Sequence, residues 1–308
     1  MKTGSFPYTF FQGKVTPIEK ATISIMTNGF QYGTGYFGGI RGYYNNNTKA
    51  LSLFRIDDHI KRFFNSANIL GCALPYTQEQ LGDILFQLVK KNKPQTDCYF
   101  RLYAYVGNTE LGPNLANVTL DVGIYMIPLQ EYMPLGKGLS LLISSWQRIN
   151  DNAISTLAKA SGGYINSALA RKEATDGGYD EAIMLNKFGN VAEGSAENLF
   201  IVRDGQLITP GFSEGVLGGI TRKSVITIAQ DMGIETIEKP ITRSELYSAD
   251  EVFLTGTACQ VAWVEQIDKR KIADGKIGPI TKKLREKFFN IVKGEDEQYS
   301  HWCTKIKV

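Results

Sequence analysis

Between Cys98 and Val106 the chain alternates with a period of two, and neither face is an ordinary solvent face. Phe100, Leu102, Ala104 and Val106 share one side, while Tyr99, Arg101, Tyr103 and Tyr105 share the other. The first side suits a core. The second is aromatic and polar with one cation, and it admits two readings: an exposed face of aromatic cross-strand pairs, or the wall of a site. Leu120, Val122, Ile124 and Met126 give a matching strand.

The surrounding pattern is mixed α and β. Ile60, Phe63, Phe64, Ala67 and Leu70 fit helical spacing, closed by Gly71. Leu81, Ile84, Leu85, Leu88 and Val89 mark a second helix, whose start at Thr77 with Gln80 has capping-box form. Residues 1–127 read as a small α/β domain. Two prolines and a glycine make 128–137 the expected linker, and 138–308 the larger second domain. There, strands are expected at Leu139–Ser145, Ala182–Leu185, Asn198–Val202 and Glu251–Leu254. Helices are expected near Tyr164–Ala174, Thr221–Met232 and Lys282–Val292, with a hairpin turn at Asp204-Gly205.

The 34 basic and 31 acidic side chains leave a formal charge of +3, too little to favour nucleic acid or an anionic membrane as partner. Cys72, Cys98, Cys259 and Cys303 are too far apart in sequence for a metal knuckle or a redox pair, and read as reduced core thiols. With His59 and His301 as the only histidines, a histidine-rich metal site is excluded and no metal is expected. Met1–Phe11 is not a signal peptide and no stretch has the apolar length to cross a bilayer, so the expected location is the cytoplasm.

Four segments carry chemistry. Gly218-Gly219-Ile220-Thr221 precedes a helix, where glycines and unpaired amides favour an anion; a glycine turn with Thr221 as an ordinary N-cap explains it too. Thr255-Gly256-Thr257-Ala258 follows an apolar strand and offers amides and hydroxyls to a phosphate or carboxylate; a plain tight turn would look the same. Lys159 lies among small residues beside Gly162-Gly163. Burial there would lower its pKa, as a Schiff-base lysine requires, although most lysines are simply solvated. Glu193 and Glu197 supply two carboxylates near a strand, either for a protonated ring nitrogen or for the surface.

Taken in order, these segments resemble the class IV, or fold-type IV, pyridoxal-phosphate aminotransferases, and among them the branched-chain amino acid aminotransferases. The resemblance covers about 10–302. It includes Tyr32-Gly33-Thr34-Gly35 with Phe37, Gly39-Ile40-Arg41, Phe54-Arg55 with His59 and Arg62, and Tyr99-Phe100-Arg101. It continues through Ser144-Ser145-Trp146 with Arg148, Ala158-Lys159-Ala160, Glu193–Phe200, Gly219-Ile220-Thr221-Arg222 and Gly256-Thr257-Ala258.

The resemblance implies a fold and a set of roles. The fold would be a small α/β domain plus a larger domain with a pseudo-barrel of strands, the cofactor pyridoxal 5′-phosphate lying between them. Lys159 would hold the cofactor as a Schiff base and shuttle the proton. Glu193 would keep its ring nitrogen protonated, Tyr164 would bond its phenolic oxygen, and Leu217 would pack on the ring. Arg55, Gly219, Ile220, Thr221, Gly256 and Thr257 would surround the phosphate. Tyr32, Tyr99 and Arg101 would receive a glutamate side chain. Phe37 and Tyr132 would contact an aliphatic one, and Thr257 and Ala258 the α-carboxylate. The substrates would be small amino acids and keto acids. The chain would form a homodimer or higher homo-oligomer, with a neighbour's loop near Leu111–Pro113 closing the site.

Two departures touch the expected substrate pocket. The family's Phe-Glu-Gly-Ile-Arg run is Phe37-Gly38-Gly39-Ile40-Arg41 here, and Leu129 follows Pro128 where many members have tryptophan. A D-amino acid or (R)-amine transaminase and an aminodeoxychorismate-lyase-type enzyme share the fold; Tyr99-x-Arg101 favours the branched-chain reading. A non-catalytic descendant would have lost Lys159, Tyr164 and Glu193 first. A hydrolase lacks a Gly-x-Ser-x-Gly elbow.

Overall fold

The structure, a computed structural model, describes residues 4–133 and 136–308. Met1–Thr3, and Pro134 and Leu135 of the expected linker, lie outside the described residues. In chain order come β1 (Tyr8–Phe11), β2 (Lys14–Pro17), α1 (Asn28–Gln31), β3 (Gly35–Asn45), β4 (Ala50–Phe54), α2 (Ile56–Ile69), α3 (Gln78–Asn92), β5 (Cys98–Tyr105) and β6 (Asp121–Pro128). Then follow β7 (Leu139–Ile143), α4 (Tyr164–Asp176), β8 (Glu181–Leu185), β9 (Val191–Gly194), β10 (Asn198–Arg203), β11 (Gln206–Thr209) and α5 (Ile220–Asp231). The chain ends with β12 (Thr236–Glu238), α6 (Arg243–Tyr247), β13 (Glu251–Gly256), β14 (Gln260–Ile267), β15 (Arg270–Lys271), α7 (Pro279–Val292) and β16 (Cys303–Lys307). Two compact units emerge, neither contiguous in sequence. Unit 1 is Met1–Gln130, Ala158–Gly162 and Asn290–Val308; unit 2 is Glu131–Leu157 and Gly163–Phe289.

Unit 1 is an antiparallel sheet in the order β16-β4-β3-β5-β6-β1-β2. Its core takes Phe100, Leu102, Ala104 and Val106 from the aliphatic side of the β5 segment, with Val122, Ile124 and Met126 of β6 beside them. Ile60, Phe63 and Ala67 of α2, and Leu81, Leu85 and Leu88 of α3, complete that core. The apolar stripe explains both helices: residues three and four apart face the sheet together. At the start of α3 the capping box is complete, Thr77 accepting from the Gln80 amide and Gln80 from the Thr77 amide. The other face of β5 is not a solvent face: Tyr99 and Tyr105 are buried.

Unit 2 is built on a mixed nine-stranded, half-barrel sheet, ordered β12-β11-β10-β13-β14-β7-β8-β9 with β15 beside β14. Parallel pairs join β11 to β12 and β7 to both β14 and β8; the remaining pairs are antiparallel. Asp204 and Gly205 turn the β10–β11 hairpin with φ of 51° and 78°, the double positive that a type I′ turn needs. α4 packs Ala170 and Ala174 against Ala182 and Met184 of β8; small residues on both sides let the helix sit close. Together the two units form an α/β fold of type IV. All four cysteines are free and buried, and among the described residues no helix is long and apolar enough to cross a membrane.

Candidate active site

Unit 1 holds Lys159 by its main chain. Ala160 forms an isolated antiparallel bridge with Tyr36, which seats the main chain at this point beside β3. The Phe37 amide donates to the Lys159 carbonyl at 3.1 Å, and the Lys159 amide donates to Ser66 Oγ of α2 at 3.4 Å. Close approach depends on glycine. At Gly33, with φ of +65°, a Cβ would lie 3.1 Å from the Gly162 Cα. With its backbone fixed at both ends, Lys159 places Nζ 5.2 Å from the centroid of the Phe37 ring.

Arg101 shares that ring, its Cζ 4.3 Å from the Phe37 centroid and 5.3 Å from that of Tyr99. The β3–β5 register produces the cluster, setting Phe37 opposite Tyr103, Gly39 opposite Arg101 and Arg41 opposite Tyr99. Gly39 is what lets Tyr99 lie across β3, because a Cβ there would run into the Tyr99 ring. Burial pushes the Tyr99 phenol up, while the charges of Arg101 and Arg62 and a hydrogen bond with Arg101 pull it back. The Tyr32 hydroxyl accepts from the Gly112 amide at 3.1 Å, so within this chain the loop carrying Leu111 meets Tyr32.

The structure corrects the expectation for Gly38. Strand alternation turns it away from Phe37 and Arg101 and toward the core, where its Cβ would meet Phe63 at 3.4 Å and Leu102 at 3.6 Å. A carboxylate missing from Gly38 is therefore not missing from the face that carries Phe37. Leu129 is fixed by its main chain, which donates to Asp97 and accepts from Arg41.

Arg55 is buried and caps α2 in the left-handed region, at φ 50°. Its guanidinium pairs with Asp58 at 2.8 Å and lies 4.5 Å from the Trp302 ring centroid. Next to it, His59 is 4% exposed. Burial, then the charges of Arg62, Arg55 and Lys159, hold its imidazole well below the usual histidine range. A neutral ring amid three cations is a place where the field favours an anion. His59 lies in the family's Phe54-Arg55 motif, which by itself gives it no part in the chemistry.

Unit 2 is organised around Glu193 on β9, opposite Met184 of β8. Its Oε1 receives Arg148 Nη2 at 2.7 Å. Its Oε2 accepts from Asn198 Nδ2 and from the Leu217 amide, both at 2.9 Å. Asn198 also donates to the Leu217 carbonyl at 2.9 Å. These contacts bring Glu193 and Leu217 together; Arg148 and Asn198 are the partners the sequence reading missed, signalled only by their membership of the family's motifs. A cavity of about 280 Å³ opens beside Arg148, lined also by Thr156, Asn186, Phe188 and Glu214.

α5 begins one residue earlier than expected. Gly219 is its N-cap, so Thr221 lies inside the first turn, 4% exposed, and no side chain caps the helix. Gly219 has no room for a Cβ, which would strike the Asn198 amide. Thr257 and Ala258 sit in the turn joining β13 to β14, and a Cβ on Gly256 would crowd Cys259 Sγ at 3.2 Å. Glu197 is buried and accepts from the Ala196 amide. Tyr132 is half exposed; burial and then the Glu197 charge raise its phenol, with Arg171 opposing. Tyr164, half-buried, opens α4.

A fold-type IV architecture, with a main-chain-anchored lysine in one unit and a thrice-bonded glutamate in the other, defines a class. The sequence profile of that class, "Amino-transferase class IV", matches residues 35–267. The chain belongs to the class IV amino-transferases. It is 46% identical to the "Probable branched-chain-amino-acid aminotransferase" of Aquifex aeolicus, covering 99% of each chain. It is 36% identical to the branched-chain-amino-acid aminotransferase of Escherichia coli K12, again covering 99% of each. Among solved structures it is similar to the Thermoproteus uzoniensis branched-chain aminotransferase with norvaline (TM-score 0.94, 41% identity, 98% of this chain and 99% of that one). It is also similar to the Thermobaculum terrenum branched-chain amino acid aminotransferase "in PLP-form (holo-form)" (TM-score 0.91, 35% identity, 98% of both).

Proposed function

We propose that the protein is a pyridoxal-phosphate-dependent aminotransferase exchanging amino groups between branched-chain or aliphatic L-amino acids and 2-oxoglutarate. The observation that carries this reading is the Phe37 ring, which takes both the Lys159 ammonium and the Arg101 guanidinium. A reactive amine, an apolar surface and a carboxylate-binding cation are thus held in one cluster, as a partner pair of one aliphatic and one acidic substrate requires. The relatives named above support the reading.

The residues present fit the cofactor. An ionised carboxylate offers about four lone-pair sites; three donors occupy Glu193, leaving one for a protonated ring nitrogen. α5 presents an N-terminus without a side-chain cap, suited to a phosphate. When bound, pyridoxal phosphate supplies an aldehyde carbon that condenses with amines and a ring that withdraws electrons.

In this reading Lys159 Nζ anchors the cofactor covalently and carries the proton to and from the substrate's α-carbon. Glu193 holds the ring nitrogen's proton in place, Tyr164 donates to the phenolic oxygen, and Leu217 packs on the ring. Arg55, Gly219, Ile220, Thr221, Gly256 and Thr257 hold the phosphate by charge, amides and hydroxyls. Arg101, with Tyr99 and Tyr32, binds the acidic side chain; Phe37 and Tyr132 bind the aliphatic one; Thr257 and Ala258 orient the α-carboxylate. The working form is a homodimer or larger homo-oligomer in the cytoplasm. Assaying L-leucine, D-alanine and (R)-phenylethylamine against 2-oxoglutarate tests the substrate class. Turnover of L-leucine is expected, and turnover of D-alanine alone would reject the reading.

A further inference from the structure

We infer that Arg148 is a positioning residue for the reaction, holding the Glu193 carboxylate so that the proton shared with the cofactor's ring nitrogen stays on nitrogen. The inference rests on the role proposed for Glu193. Its geometry lies within unit 2. β8 fixes both partners: the Arg148 amide donates to the Leu185 carbonyl at 2.8 Å, and Glu193 pairs across the strand with Met184. The two side chains meet at 2.7 Å with side-chain exposures of 11% and 6%. The Arg148 Nε reaches the Gly215 carbonyl at 3.4 Å, which adds a third tether.

The two carboxylate oxygens are treated differently. Oε2 takes two neutral donors, Asn198 and the Leu217 amide, while Oε1 takes the Arg148 guanidinium. Charge-assisted bonds between nearly buried groups are the strong ones. A cation against a carboxylate favours its negative form, so in a shared N–H···O pair the proton is left to the nitrogen. Without the cation, two neutral donors would remain, and a low-dielectric surrounding would favour two neutral partners with the proton on oxygen. Arg148 thereby acts on the ring through Glu193, without touching the substrate.

The test uses the full-length holoenzyme loaded with ring-¹⁵N pyridoxal phosphate. In Arg148→Gln the ring-nitrogen NMR signal is expected to move toward that of unprotonated pyridine. kcat should fall roughly ten- to hundredfold, the worth of one hydrogen bond to a charged group, with little change in KM. Arg148→Lys, which keeps the charge, should restore part of both. If Arg148→Gln does not fold, Arg148→Met is read by the same criteria. A ring-nitrogen signal unmoved in the neutral variants, or loss of the fold in both of them, overturns the inference. A Glu193→Gln variant separates the two levels: if that change also leaves the ring nitrogen unmoved, the role of Glu193 fails, not only that of Arg148.

Discussion

The Phe37 main-chain amide donates to the Lys159 carbonyl at 3.1 Å, while the Phe37 ring lies 5.2 Å from the same lysine's Nζ. One residue therefore fixes where the lysine backbone sits and what its amine faces. Phe37 in turn is placed by β3, whose register with β5 brings Arg101 to the same ring.

Replacing Lys159 by alanine should abolish transamination, by a factor on the order of a thousand or more, since no other group replaces a covalent anchor. The fold should persist, because the contacts that hold this stretch come from its main chain. Circular dichroism and a leucine–2-oxoglutarate assay measure the two halves. Borohydride reduction of the wild type followed by peptide mapping should place the label on Lys159, and a label elsewhere rejects its role.

Arg101→Met should raise KM for 2-oxoglutarate and glutamate much more than for leucine, since in the proposed reading its guanidinium binds a carboxylate and not an aliphatic chain. Loss of its stacking on Phe37 and Tyr99 adds a stability cost of about 0.5–2 kcal/mol, readable by urea denaturation. Equal effects on all substrates would show that Arg101 serves structure alone.

Gly38 and Gly39 should respond oppositely to alanine. At Gly39 the new Cβ must displace the Tyr99 ring, costing about 1–3 kcal/mol as an overpacked site does and weakening acidic-substrate binding. At Gly38 the new Cβ meets Phe63 and Leu102 at ordinary contact distance. That variant should be neutral or more stable by up to about 1 kcal/mol, with KM values unchanged. Melting temperatures of the two variants, taken side by side with KM for glutamate, check the assignment of the two faces of β3.

His59 predicts a pH dependence of stability. Its folded-state affinity for a proton lies below the unfolded value, through burial first and then Arg62, Arg55 and Lys159. The unfolded chain thus binds the extra proton, and its contribution to stability is complete above the ordinary histidine range and is lost as pH falls through and below it. The slope is up to about 1.4 kcal/mol per pH unit. Urea unfolding of wild type and His59→Leu from about pH 8 down to about pH 5, the window of an ordinary histidine, should show this slope in the wild type only.

Five of the helices, α2, α3, α4, α5 and α7, and the two-faced β5 strand were legible in the sequence because they rest on local causes, whereas the short α1 and α6 were not expected. Helical spacing, the Thr77–Gln80 capping box and strand alternation are all written over a few residues. The Asp204-Gly205 turn is a local matter too. The family was equally legible, since its motifs survive in order along 35–267. Less legible was the start of α5: Thr221 looks like a cap in the sequence, but the backbone is extended at Gly219 and helical from Ile220, so Gly219 is the cap, and Asn198 leaves no room there for a side chain.

By itself, then, the sequence determined the periodicities, the turn chemistry and the inventory of reactive groups: the lysine, the glutamates and the arginines. Tertiary structure alone decided which of them meet. Lys159 reaches β3 across more than a hundred residues, and 158–162 joins a unit otherwise drawn from the two ends of the chain. Arg148 finds Glu193 only because β8 binds both, and Gly38 faces the core only because β3 has a register. Local pattern is set by neighbouring dihedrals and side-chain spacing, whereas these pairings depend on how strands are ordered and aligned in a sheet, which no short stretch of sequence encodes.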